Sequence, residues 1–272
     1  MSETMNRIAS CFEKCAGMGR KALIPFITAG DPNRQVTVPV MHAMVKAGAD
    51  LIELGVPFSD PMADGPTIQR SSERALETGT SIHHVLEMVA EFRRTDAITP
   101  VVLMGYLNPI ENMGAKKFAQ AAQAAGVDGV LTVDMPPEEG AEFEQICAQY
   151  ELAPIYLLAP TSTEERIAKI AASAKGFIYY VSVKGVTGSQ APDVSEVAAK
   201  VEAIRQQSSL PVGVGFGIRD AASAAAIGQF ADAVVVGSTL VNKMEELKGA
   251  SDQIPEAIGG ILAEMREALD EL

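Results

Sequence analysis

The feature that most constrains this chain is a rhythm. Short apolar runs recur at 22–28, 49–54, 100–106, 127–133, 153–158, 176–182, 211–216 and 232–236, and longer Ala-, Glu- and Lys-rich stretches separate them. The runs are of strand length and nearly continuous in Val, Ile and Leu. The stretches between, such as 111–125, 137–149 and 193–207, place apolar residues three and four apart, as helices do. The junctions KAGADLIE (46–53), AAGVDGVL (124–131) and GQFADAVV (228–235) each end a helix, turn and enter a strand. Eight βα units with strands apolar on both faces imply a parallel sheet covered by helices, and at 272 residues a closed (β/α)8 TIM barrel is favoured over an open doubly wound sheet. Two pieces exceed the minimal repeat: residues 2–16, an expected extra N-terminal helix, and 56–80, an extended loop and helix after the second strand. No shift in composition marks a boundary, so 1–272 is expected to form one domain.

Composition narrows the function. With 22 basic and 35 acidic residues the net charge is −13, which disfavours nucleic acid and anionic membranes as partners. The N-terminal segment is charged where a secretory signal would be apolar, and the apolar stretch 221–241 is broken by Gln229, Asp232 and glycines. Cys11, Cys15 and Cys147 have no metal-ligand spacing, and an odd, unpatterned set suits a reducing cytoplasm. His42, His83 and His84 offer no converging metal set, so no metal is expected.

Two constellations carry chemistry. In IELGVPFSDPMADGP (52–66), Glu53 stands in an apolar strand on the side shared by Leu51 and Gly55, the barrel interior, where a carboxylate is costly unless it is bonded or functional. Active sites in this fold lie at the strand C-termini, which is where Glu53 sits. Pro57, Pro61 and Pro66 stiffen the loop and would hold Asp60 and Asp64 in fixed positions relative to it. The other reading is a structural glutamate satisfied by a neighbouring donor. The second constellation is GVTG (185–188), GFG (215–217) and GS (237–238), three glycine-bearing loops after the sixth, seventh and eighth strands. Together they resemble a phosphate cradle of unhindered backbone N–H groups. No GxGxxG or GxxxxGK[ST] pattern is present, so the phosphate is expected to belong to the substrate. Lys184 could form a Schiff base, but its loop looks too exposed to lower an amine's proton affinity. Tyr179 and Tyr180 point to opposite faces of the sixth strand, so only one can look inward.

The 52–66 stretch, with PFITAGDP (25–32), LMGYLNPI (103–110), GVTG, GFGI (215–218) and VVVGS (234–238), resembles the tryptophan synthase alpha-chain family from end to end. The resemblance implies retro-aldol cleavage of indole-3-glycerol phosphate to indole and glyceraldehyde 3-phosphate, with no cofactor in this chain. It also implies a beta-chain partner, carrying pyridoxal phosphate, in an alpha2-beta2 tetramer. Carried over by residue, Glu53 is similar to the family's general acid/base and Asp64 to the carboxylate facing the indole N–H. Spacing alone does not choose Asp64 over Asp60. Tyr179 resembles the pocket hydroxyl, Thr187 the lid residue that orients Asp64, and Phe26 the residue packed on the indole. Gly188, Gly215, Gly217, Gly237 and Ser238 match the phosphate positions. Phe177 departs from members that carry a second tyrosine there. Another phosphate-sugar barrel enzyme, such as an epimerase or isomerase, and a non-catalytic partner subunit are the rival readings.

Overall fold

The computed structural model describes residues 6–182, 194–215 and 217–272. Its strands β1 (Ala22–Thr28), β2 (Ile52–Gly55), β3 (Val101–Gly105), β4 (Gly129–Thr132), β5 (Ala153–Leu158), β6 (Ile178–Val181), β7 (Val212–Gly215) and β8 (Ala233–Val236) close into one barrel in sequence order. Every pairing is parallel, and β1 closes against β8 with Ile24 opposite Val235. The helices are α1 (Arg7–Gly17), α2 (Arg34–Lys46), α3 (Pro66–Glu77), α4 (Ile82–Phe92), α5 (Leu107–Met113), α6 (Ala115–Ala125), α7 (Ala141–Gln149), α8 (Glu164–Ser173), α9 (Val194–Arg205), α10 (Ala221–Gly228), α11 (Ser238–Glu246) and α12 (Ile254–Asp270). The barrel and both expected additions, α1 and the loop with α3, are therefore present. The stretch 111–125 is not one helix: Gly114, at φ 90°, separates α5 from α6, a left-handed conformation that glycine adopts without penalty.

Strand alternation sorts the side chains into two cores. Ile27, Ile52, Leu54, Val101, Leu103 and Ile178 face outward into the helix layer. Ile24, Leu51, Val102, Leu131, Ile155, Phe177, Tyr179 and Val235 fill the interior. Helix α1 plugs the N-terminal end of the barrel by adding Ile8, Phe12 and Cys15 to that interior cluster. Phe12 meets Phe177 with ring centroids 5.6 Å apart, which accounts for an apolar ring rather than a phenol at 177: the site is fully buried at the closed end. Burying a ring such as Phe12 contributes roughly 2–3 kcal/mol. Space for Ile8 depends on glycine, since a Cβ at Gly129 would lie 3.0 Å from Ile8 Cδ1.

Polar bonds pin the plug. Asn6 caps α1 by accepting from the Ile8 N–H, and its amide donates to the carbonyls of Asp128 and Glu151. The buried Asp128 accepts from Arg7, Arg93 and the Val101 N–H, each at 2.8 Å, so one carboxylate joins α1, α4 and β3. With the N-terminal end closed this way, the C-terminal end is the open one. Among the described residues no helix is long and apolar enough to cross a membrane.

Candidate active site

Glu53 lies in β2 between Phe26 of β1 and Val102 of β3. It is 1% exposed, and neither carboxylate oxygen has a hydrogen-bond partner among the described residues. The reading of a structural glutamate satisfied by a donor finds no donor here. Burial, and secondarily the negative charge of Asp64, pushes its pKa from 4.5 to about 8. Glu53 is therefore a carboxylic acid holding its proton near neutral pH.

Asp64 reaches the same space from the loop after β2. The loop is fixed by short-range bonds: Asp64 N–H donates to the Pro61 carbonyl, and Gln69 Nε2 on α3 donates to the Asp64 carbonyl at 2.9 Å. Gly65 and Pro66 then start α3, proline at a first helical position being preset for the turn. Pro57 and Pro61 are buried, whereas Asp60 is exposed and its carboxylate accepts from its neighbour Ser59. The restraint in 52–66 thus serves Asp64. Its carboxylate accepts from the Tyr106 hydroxyl at 3.1 Å, and that hydroxyl in turn accepts from the Ala63 N–H at 3.0 Å. Burial raises Asp64 from 3.8 to about 6, and the Tyr106 bond opposes the rise. Two carboxyls in one site are thereby set apart, Glu53 protonated and Asp64 charged at pH 7.

Tyr179 is the inward member of the tyrosine pair, while Tyr180 packs in the outer core. Its phenol is held well above its usual range, first by burial and then by the negative charges of Glu53 and Asp64, so the three groups are electrostatically coupled. Beside Asp64 a narrow opening is lined by Phe26, Val56, Ile68, Met104, Tyr106 and Val133 together with the hydroxyl residues Thr28 and Ser72, a mixed slot with the carboxylate on its wall. Phe26 presses on Gly55, where a Cβ would come within 2.7 Å of the ring.

Of the three glycine-bearing loops, parts of two lie among the described residues. Gly217 (φ 81°) follows β7, and Gly237 and Ser238 open α11 directly after β8, with no side chain among the described residues capping that first turn. Thr239 Oγ1 donates to the Ile218 carbonyl at 3.0 Å, drawing these two loops together. An uncapped helix start offers N–H groups and a partial positive charge to an anion. Thr187 and Gly188, with Lys184, lie outside the described residues.

The family profile described as "Tryptophan synthase alpha chain" matches residues 12–269. This chain belongs to that family. It is 60% identical over 266 residues to the tryptophan synthase alpha chain of Nitrosococcus oceani, covering 98% of each, and 60% identical to that of Laribacter hongkongensis, covering 98% of this chain and 100% of the relative. Among solved structures, the tryptophan synthase subunit alpha from Legionella pneumophila superposes with a TM-score of 0.92 at 46% identity, covering 99% of this chain and 100% of that one.

Within this alpha-chain scaffold, two site features escape a reading by motif. Tyr106, in LMGYLNPI, is the group that bonds the Asp64 carboxylate in the described structure, and the tilted Phe58 ring lies beside it at 5.2 Å. Its position one residue past a strand end is the signal that marks it, the same rule that singled out Glu53. Gly215 also has a second reason to be glycine. A Cβ there would fall 2.2 Å from the Tyr179 hydroxyl, so the phenol occupies the space that a side chain would take. Gly215→Ala is expected to displace the Tyr179 ring and lower turnover on the order of tenfold. Steady-state kinetics beside a phosphate-binding titration checks this, and unchanged turnover would show that the ring does not matter.

Proposed function

We propose that this chain is the alpha subunit of tryptophan synthase and a carbon–carbon lyase that cleaves indole-3-glycerol phosphate to indole and glyceraldehyde 3-phosphate. The observation that carries the reading is Glu53, buried, without a hydrogen-bond partner among the described residues and raised to about 8, beside an Asp64 raised only to about 6. Indole leaves poorly as a carbanion, so C3 of the ring must first take a proton. Glu53 holds one at neutral pH and supplies it, which leaves positive charge on the ring nitrogen. The Asp64 carboxylate accepts the indole N–H and balances that charge. The side-chain hydroxyl next to the ring then gives up its proton to the Glu53 carboxylate. Its electrons form the aldehyde as the carbon–carbon bond breaks, and the bonding pair returns to the ring. Phe26 and the apolar walls take the indole, and Tyr179 lines the reacting end. Gly188, Gly215, Gly217, Gly237 and Ser238 hold the phosphate, with Thr187 on the lid. The steps call on no cofactor in this chain.

The partner proposed is the tryptophan synthase beta chain, in an alpha2-beta2 tetramer, whose pyridoxal phosphate serves the reaction that consumes indole. Free indole is neutral and apolar and would escape through membranes, so direct transfer in the cytoplasm answers a chemical need. The docking face is the rim of the barrel mouth: residues 57–60, 108–109 and 134–137. Asp60 and Asn108 are exposed on it and Met62 stands 84% exposed beside it, while Leu107 N–H donates to Asp134 and ties two of the segments together. The test is an assay of indole release from the purified chain with and without beta chain. Release is expected alone, and several-fold faster release in the complex, a coupling of about 1–2 kcal/mol. Asp60→Ala should reduce the activation more than the basal rate. No indole from either preparation would overturn the reading.

A further inference from the structure

Helix α3 begins two residues after Asp64 and does more than anchor its loop. One of its faces presents Thr67, Arg70 and Arg74, three and four residues apart, to α11. Thr67 Oγ1 donates to Asn242 Oδ1 at 3.2 Å, and Arg70 grips both oxygens of Glu245 at 3.0–3.2 Å. Arg74 Nη1 adds a further contact to Glu245 at 3.0 Å, while its Nε and Nη2 fork onto Asp31 at 2.7 and 2.8 Å. Asp31 is fully buried in the turn after β1, and the Arg74 side chain is 13% exposed. The same end of β1 bonds α3 again, through Thr28 and Ser71 hydroxyls 2.6 Å apart. One guanidinium therefore spans three segments that meet at the site: the β1 turn, the helix whose Gln69 holds Asp64, and the helix whose first turn is Ser238. Apolar contacts would join two helices at less desolvation cost, whereas a planar fork fixes angle and register.

We propose that Arg74 is a positioning residue: by gripping Asp31 and Glu245 together it ties α11 to the Asp64 loop, so that filling the phosphate end of the pocket sets the carboxylate at the indole end. This rests on the indole-glycerol phosphate reading above and adds how its two halves communicate. Phosphate bound at the start of α11 draws on that helix; Glu245, two turns along, moves with it; Arg70 and Arg74 carry the shift into α3 and through Gln69 to Asp64.

The chain contains no tryptophan, so the fluorescence of added indole reports binding directly. The full chain is titrated with indole, with and without saturating glycerol 3-phosphate, the phosphate-bearing half of the substrate that cannot be cleaved. In the unmodified protein glycerol 3-phosphate should tighten indole binding roughly fivefold or more. In Glu245→Gln, which keeps the side chain's shape but not its charge, that factor should collapse while each ligand alone keeps its affinity within about twofold. Arg74→Lys keeps a charge for Asp31, but one ammonium cannot span both carboxylates, so it should lose the factor too. Circular dichroism verifies folding, and Glu245→Gln decides alone if Arg74→Lys fails to fold. Variants that weaken each ligand separately but keep the factor would reduce Arg74 to a structural clamp and overturn the proposal. Binding of both ligands to the unmodified protein without mutual effect overturns the tie alone. Binding of neither overturns the reading of the site and the tie with it.

Discussion

Glu53→Gln is expected to retain the barrel and bind ligand yet lose on the order of 100-fold or more in turnover, the span usual for a general acid–base group. The amide matches the acid in size and enters the same unpartnered space, so packing is preserved and only the mobile proton is lost. A variant with near-normal indole release would end the assignment. The pH profile of the unmodified protein provides a second check. Turnover should rise as Asp64 ionises near pH 6 and fall as Glu53 loses its proton near pH 8, and the alkaline limb should vanish in Glu53→Gln.

The same substitution should act on stability with a defined sign. Folding raises the Glu53 pKa from 4.5 to about 8, so the folded protein binds that proton more tightly than the unfolded chain does. Stability is then greatest below about pH 4.5 as far as this group is concerned, falls as pH rises through the window to 8, and levels off above it. Glu53→Gln removes that loss. At pH 8–9 the variant should be more stable than the unmodified protein by a few kcal/mol, on the order set by the conversion of pKa shift to free energy. A dead enzyme that melts higher is the signature of a group kept for chemistry at a cost to the fold.

The architecture was legible because burial on both faces of a parallel strand leaves an unbroken apolar run, and eight such runs admit few folds. The runs 22–28 and 153–158 match their strands to the residue, while 49–54 starts three residues before β2 and stops one short of its end and 100–106 overruns β3 by one residue at each end, because buried flanks such as Leu51 and Pro100 look like strand. The break at Gly114 was not legible, since a glycine within a helical pattern is compatible with either outcome. At the site, Glu53 announced itself as a charge inside an apolar run. Tyr106 carried only the weaker signal of its place after a strand end, which every strand-end residue shares, and its hydroxyl between Ala63 and Asp64 is what sets it apart. The reason for Gly215 was hidden for a related cause: it lies in Tyr179, thirty-odd positions away in sequence and adjacent only once β6 pairs with β7.

Asp64→Asn is expected to lower turnover on the order of 100-fold, the scale for removing one preorganised charge from a developing transition state. The amide oxygen can still accept from the indole N–H while its NH2 turns to the Tyr106 hydroxyl as a donor, so ground-state binding of indole should change little. What it cannot do is balance positive charge on the protonated ring, and the loss should appear in kcat. Removing Asp64's charge also relieves Glu53 of one of the two influences that raise its pKa, so the alkaline limb of the pH profile should move to lower pH in Asp64→Asn. That shift separates a direct role from a structural one, because a displaced loop would not carry the electrostatic signature. Tyr106→Phe supplies the contrast. It removes the bond that opposes the rise in Asp64, so the acid limb should move upward from about 6 while the charge remains available above it, and the turnover loss should be small at pH 8 and larger at pH 6. If Asp64→Asn matched the unmodified protein at every pH, the exposed Asp60 would become the candidate for the second carboxylate, and the stiff loop would have been built for the partner rather than for the ring.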